Sequence, residues 1–95
     1  MTIIYKDGFK ERFNSQLDYI SANNKMAANN FRNKLKKEIE TLKDMPFRCR
    51  KSIYFDDENI RDLIFKGYVI VYKVNLQADM IEVFGFTKYQ NSPIN

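Results

Sequence analysis

The chain of 95 residues contains no histidine and one cysteine, Cys49. The first absence removes Ser-His-Asp and Cys-His catalysis, histidine metal sites and the usual general base near neutral pH. Any proton transfer must therefore use Lys, Arg, Tyr, Asp or Glu. One cysteine cannot build a disulfide framework. Its neighbours Arg48 and Arg50 carry the sign of charge that lowers a thiol pKa, although an ordinary reduced thiol is the simpler reading. No apolar run approaches the roughly 20 residues a membrane span needs, and the N-terminus carries no signal-peptide apolar core. These absences lead us to expect a cytoplasmic chain that makes no use of the membrane. Low-complexity linkers and internal repeats are also missing, and the length fits one domain over residues 1–95.

A hydrophobic fraction of 44% with 15% aromatics excludes a disordered tail. The net charge of +4 is unevenly placed: residues 10–51 hold eleven Lys/Arg against five Asp/Glu, and residues 52–95 hold four against six. A basic block ahead of a nearly balanced region suits a nucleic-acid or acidic-protein partner, and it equally suits a solvated helix face.

Thr2-Ile3-Ile4-Tyr5 reads as a short strand, closed by the turn signal Lys6-Asp7-Gly8. Phe9, Phe13, Leu17 and Ile20 recur at helical spacing and predict one apolar stripe. That helix is expected to stop near Asn23-Asn24, because asparagine tolerates the left-handed conformation that ends helices. Ala28, Phe31, Leu35, Ile39, Leu42 and Met45 predict a second helix, ended by Pro46. A joint this short implies two antiparallel neighbours. On the outer face of the second helix, Lys34–Glu38 and Lys36–Glu40 are spaced as ordinary surface pairs.

The acidic run Asp56-Asp57-Glu58-Asn59 lacks the ligand spacing and glycine of a calcium loop and reads as a solvated turn. Three apolar, β-branched and aromatic runs follow, with turn chemistry at Lys66-Gly67 and between Asn75 and Asp79. They predict three consecutive antiparallel strands. Within the middle one, both alternating sets are mainly apolar, which predicts a central strand covered on both faces. Gly85 inside the last run predicts a bulge or a close backbone approach. The fold expected is α+β: a short N-terminal strand and an antiparallel helical hairpin packed on a small, mainly antiparallel sheet of four or so strands.

The ordered pieces Arg61-x-Leu63, Gly67-Tyr68-x-Ile70-x-Tyr72-x-Val74, Ile81-Glu82-Val83-x-Gly85-Phe86 and Lys88-Tyr89-Gln90-Asn91 follow a helical hairpin. Over nearly the whole chain this resembles the RelE/ParE superfamily of type II toxin–antitoxin toxins. The resemblance implies a toxin held by a cognate antitoxin, whose acidic, partly disordered segment folds over the basic surface. It implies two mechanisms on one fold. RelE-like members cleave mRNA in the ribosomal A site, whereas ParE-like members inhibit DNA gyrase and are not nucleases.

Metal-free RNA cleavage activates a 2′-hydroxyl, stabilises a phosphorane and protonates a leaving oxygen, which Lys, Arg and Tyr can do without a cofactor or metal. For that chemistry the resemblance offers Arg61, Lys88 and Tyr89 as catalytic residues and Arg48, Arg50 and Lys51 as substrate-binding ones. Tyr89 is also placed to stack on a base. Alternative structural roles stay open: Arg61 paired with Asp62 or with the Asp56–Glu58 cluster, Tyr68 and Tyr72 as core aromatics, Lys88 as an edge charge. The chain departs from the nuclease pattern in having Val69 after the Gly-Tyr pair and Lys88-Tyr89 at the end of the last strand. The expectation is a growth-arresting toxin acting by ribosome-dependent mRNA cleavage. The alternatives are gyrase inhibition, a non-catalytic nucleic-acid-binding module, and a family member without activity.

Overall fold

A computed structural model describes residues 1–89. Strand β1 (Thr2–Tyr5) is followed by helices α1 (Asp7–Ser21) and α2 (Lys25–Glu40), and a 3₁₀ turn (Thr41–Lys43) extends α2. Then come β2 (Arg50–Lys51), β3 (Ile60–Phe65), β4 (Tyr68–Asn75) and β5 (Met80–Lys88). One sheet holds all five strands in the order β1-β5-β4-β3-β2. The last three strands pair antiparallel as expected, while β1 runs parallel to β5 with Ile3 opposite Ile81. A parallel pair needs a long connection: the helical hairpin carries the chain from β1 at one edge to β2 at the other, and the β2–β4 meander returns it to β5.

The hairpin lies on one face of the sheet because its apolar stripe matches the sheet's. Phe9 and Phe13 of α1 join Phe31, Leu35, Ile39 and Leu42 over Ile70, Tyr72, Val74, Ile81 and Val83. Asn23 and Asn24 do their work differently from the expectation. Among the described residues only Lys66, Gly67 and Asp79 have positive φ, so neither asparagine ends α1 in the left-handed region. Asn24 is instead extended and caps α2, its Oδ1 accepting from Ala27 N–H at 3.0 Å. Met45, counted with the apolar stripe, is exposed, since the helical run has already closed at Lys43.

The Lys66-Gly67 link has φ of 46° and 84°, the two left-handed residues that a tight hairpin of the matching twist requires. In β4, Ile70, Tyr72 and Val74 face the helices, while Val69 and Val71 join Ile60 in a second cluster on the far face. The strand is therefore central and covered on both sides.

Gly85 sits at a bulge: Val71 pairs with Gly85, but the next residue, Tyr72, pairs with Val83. The extra residue is Phe84, which packs on the far face, whereas Val83 and Phe86 both belong to the helix-side core. The bulge changes the parity of β5, so one strand feeds two clusters. An added Cβ at Gly85 would stand 2.9 Å from Val71 Cβ, so the close approach leaves room only for hydrogen.

Candidate functional site

Four of the six candidate residues lie at the short β2 edge and the segment leading into it. Arg50 opposes Asp62, and Lys51 opposes Arg61. Period-two alternation therefore sends Arg50 to the far face of the sheet and Lys51 and Arg61 to the helix-side face. Each of these cations already has an acidic neighbour. Arg50 Nη2 is 3.2 Å from Asp62 Oδ2, and the Asp62 side chain is fully buried. The same Oδ2 accepts from Ile53 N–H at 3.1 Å, which ties the 52–59 loop to the sheet. Lys51 Nζ lies 3.1 Å from Asp56 and 3.5 Å from Glu58. The Asp56 carboxylate, hydrogen-bonded to that ammonium, holds its pKa above the usual lysine value.

Arg61 is the most enclosed of the set. Its Nε donates to the Glu58 carbonyl at 2.8 Å, its Nη1 to the Cys49 carbonyl at 3.0 Å, and its Nη2 is 3.6 Å from the Glu58 carboxylate. The guanidinium also stands over the Phe47 ring at 4.9 Å. Arg48 reaches back to the end of α2, donating to Thr41 Oγ1 at 2.9 Å and approaching Glu38 at 3.7 Å. The acidic 56–59 turn, read from sequence as solvated, supplies the counter-charges for Lys51 and Arg61. The signal for it was present as charge order: basic at 50–51, acidic at 56–58, basic again at 61.

Tyr89 and Lys88 part company. The Tyr89 ring lies under the Arg50 guanidinium at 5.9 Å and packs against the far-face cluster of Ile60, Val69 and Val71. Lys88 pairs with Tyr68, whereas Arg61 pairs with Tyr72. Four residues along β4 separate the two levels, about 13 Å at roughly 3.3 Å per residue. Lys88 instead lines a groove with Arg12, Gln16, Tyr68 and Phe86. The structure thus brings Lys51 and Arg61 together around Glu58, joins Arg50 to Tyr89, and leaves Lys88 apart. Gln90 and Asn91, which close the sequence motif, lie outside the described residues.

Tyr72, a motif residue and core aromatic in the sequence, has a further role that the sequence did not announce. It is fully buried, and its hydroxyl donates to the Pro46 carbonyl at 2.6 Å, fixing the segment that carries Phe47 and Arg48. Burial pushes its pKa well above the usual tyrosine value, the adjacent Cys49 adds to the rise, and Arg48 and Arg61 pull weakly the other way. Among the described residues no cluster of carboxylates or cysteine could hold a metal ion, and no helix is long and apolar enough to cross a membrane.

The fold is α+β, a helical hairpin on one face of a five-stranded mixed sheet, with a basic rim at the β2–β3 edge. The family described as the ParE toxin of the type II toxin-antitoxin system, parDE, matches residues 3–88. The chain belongs to that family, which lies within the RelE/ParE superfamily and whose toxins are paired with a cognate antitoxin. No curated protein matches it significantly.

Proposed function

We propose that this chain arrests bacterial growth by binding its target rather than by cleaving RNA, and that the target is DNA gyrase. One observation carries the choice between the two mechanisms. Arg48, Arg50, Lys51 and Arg61 each have a carboxylate of the same chain within ion-pair distance. Stabilising a phosphorane requires preorganised positive charge directed at the reacting phosphate. Here that charge is directed at Glu38, Asp62, Asp56 and Glu58, and Lys88 lies on another strand at another level. Inhibition by binding needs no such convergence, and it accommodates Val69 where the nucleases carry arginine.

The test is pulse labelling after tightly controlled induction, following DNA and protein synthesis separately, with gyrase supercoiling measured on the purified chain. DNA synthesis should stop first, and supercoiling should be inhibited. An early stop in translation with shortened mRNA would instead establish the ribosome-dependent nuclease.

A further inference from the structure

Strand β5 is longer than the strand on its outer side. β1 pairs with it from Met80 to Val83 only, and Lys6 N–H closes that pairing on the Val83 carbonyl at 2.8 Å. The bulge at Phe84-Gly85 follows at once. Phe86, Thr87 and Lys88 then run on with β4 on one side and no strand on the other. The next residue fixes where their backbone groups point. Tyr89 N–H reaches the Gly67 carbonyl, in the β3–β4 turn, at 2.8 Å. Antiparallel pairing alternates, so Phe86 and Lys88 turn their N–H and C=O groups outward. Among the described residues no loop or side chain takes up these groups.

Two clefts flank this edge, one towards each face of the sheet. Arg12, Gln16, Tyr68, Phe86 and Lys88 border the helix-side cleft, of about 290 Å³. Tyr54, Phe55, Val71 and Phe84 border the far-side one, of about 390 Å³, where the Phe55 and Phe84 rings meet at 5.6 Å. Arg12 and Thr87 border both, so the two clefts meet across the open edge. Arg12 and Lys88 are exposed, and among the described residues neither takes part in an ion pair.

We propose that the open β5 edge accepts, as an added strand, an extended acidic segment of the protein this chain inhibits. Backbone bonds to Phe86 and Lys88 hold the segment, and its side chains alternate between the two clefts. On the helix side they meet Arg12 and Lys88, two cations without a counter-charge, and a carboxylate fits. On the far side they meet Tyr54, Phe55, Val71 and Phe84, and an apolar side chain fits. A second copy of this chain is the wrong occupant. It would bring its own Arg12 and Lys88 against this pair, and a short edge carrying lysine resists self-pairing. Nucleic acid is wrong too, because the outward carbonyls would face its phosphates.

That the segment belongs to the target rests on the gyrase reading. Inhibition by binding needs a surface whose groups are unpaired, and the β2 rim has its cations paired within the chain. The exposed lysines of α2 offer charge alone. The β5 edge adds directed backbone donors and acceptors, which tell one protein segment from another.

The experiment separates backbone from charge at one position. Lys88→Pro removes the outward N–H and costs no bond to β4, since proline is tolerated on an edge whose N–H faces solvent. Lys88→Ala removes the charge and keeps the N–H. Gyrase supercoiling is titrated with wild type, both variants, Arg12→Glu and Lys73→Glu, the last a control at the other end of β4. Folded fractions are matched by circular dichroism and urea midpoint. Lys88→Pro should need a dose at least about tenfold above that of Lys88→Ala. A smaller difference overturns the proposal. Arg12→Glu tests the same edge without touching its backbone and should also weaken inhibition at least about tenfold. Unchanged potency there overturns the proposal as well, and Lys73→Glu should behave as wild type. Affinity for the cognate antitoxin is measured in parallel. Its loss in Lys88→Pro, with or without loss of inhibition, gives the edge to the antitoxin and overturns the assignment.

A second readout does not depend on gyrase. A short fluorescent peptide of alternating glutamate and valine is titrated against wild type and Lys88→Pro. The same peptide with its amides N-methylated, and a duplex DNA oligonucleotide, are titrated beside it. Wild type should bind the plain peptide, and either the proline or the N-methyl groups should weaken binding at least about tenfold. Equal affinity, no peptide binding to wild type, or tighter DNA binding overturns the proposal. If wild type leaves supercoiling untouched yet the peptide result holds, the gyrase reading fails and the edge stands as a strand acceptor.

Discussion

Arg50 and Asp62 oppose each other across the β2–β3 pair, the guanidinium partly in water and the carboxylate fully out of it. Asp62 Oδ2 takes both Arg50 and Ile53 N–H, while Oδ1 is buried without a hydrogen-bond partner. The pair therefore holds a buried charge with little to spare. Arg50→Ala leaves it uncompensated, at a cost of about 2 kcal/mol, below the roughly 3–5 kcal/mol of a fully buried pair because Arg50 is solvated. Adding Asp62→Asn to that variant removes the stranded charge and keeps an acceptor for Ile53. It should recover part of the loss in urea unfolding, and a further drop would show that the carboxylate is held by something other than Arg50.

The bulge in β5 gives a second, purely steric prediction. Gly85→Ala places a methyl group 2.9 Å from Val71 Cβ and 3.1 Å from its Cγ2. Overpacking of this kind costs about 1–3 kcal/mol. Val71→Ala removes the Cγ2 contact but keeps the Cβ one, so it should relieve only part of that cost, and Val71→Gly more of it; the double-mutant cycles should show couplings opposite in sign to the single losses, larger with glycine. Additive losses would mean that the strand shifts instead of the side chains clashing.

The same bulge marks what could be read from the chain in advance. Gly85 was visible as an irregularity, and the two apolar sets of β4 as a strand covered twice, because both are local patterns in residue type. The parallel pairing of β1 with β5 was not visible. It joins residues nearly eighty positions apart, and no turn or periodicity encodes it. The Asn23-Asn24 stop was found at the right place with the wrong mechanism, since asparagine serves as well to begin a helix as to end one. At the candidate site the cations were legible one by one, but their consumption by Glu38, Asp56, Glu58 and Asp62 depends on rotamers and loop path. Lys51 and Arg61 come together because β2 and β3 pair in one register; Lys88 stays apart because β4 runs between the two ends.

Tyr72 supplies a pH prediction. Its pKa is raised by burial and by Cys49, so above pH 10 the unfolded chain loses this proton while the folded chain keeps it. The unfolded state then binds fewer protons, and stability falls as pH rises. The stabilisation is full below pH 10 and declines above it by up to about 1.4 kcal/mol per pH unit for this one group. Tyr5, also raised by burial and by the Glu40 charge, adds in the same direction. Tyr72→Phe should cost about 1 kcal/mol at neutral pH through the lost bond to Pro46 and should flatten the alkaline slope. An unchanged slope, measured by urea unfolding between neutral pH and the alkaline limit, would assign the effect to other groups.

The sharpest functional prediction separates binding from catalysis at Arg61 and Lys88. A general acid, general base or charge-stabilising group in a nuclease contributes about 10²–10⁴-fold to rate. Loss of either group would then abolish growth arrest at any ordinary expression level. If inhibition proceeds by binding, Lys88→Ala removes one exposed charge and leaves the inhibitory dose within about tenfold. Arg61→Ala acts differently, because this side chain braces the Glu58 and Cys49 carbonyls. It should lower stability while sparing potency per folded molecule. Arg61→Lys keeps the charge and loses the forked geometry, so it should resemble the alanine variant in stability and wild type in potency. The check is a dose–response of gyrase supercoiling with folded fractions matched by circular dichroism. A wild type that shortens mRNA without inhibiting supercoiling, and loses that cleavage in both Arg61→Ala and Lys88→Ala at equal folded fraction, would return the two residues to a catalytic role.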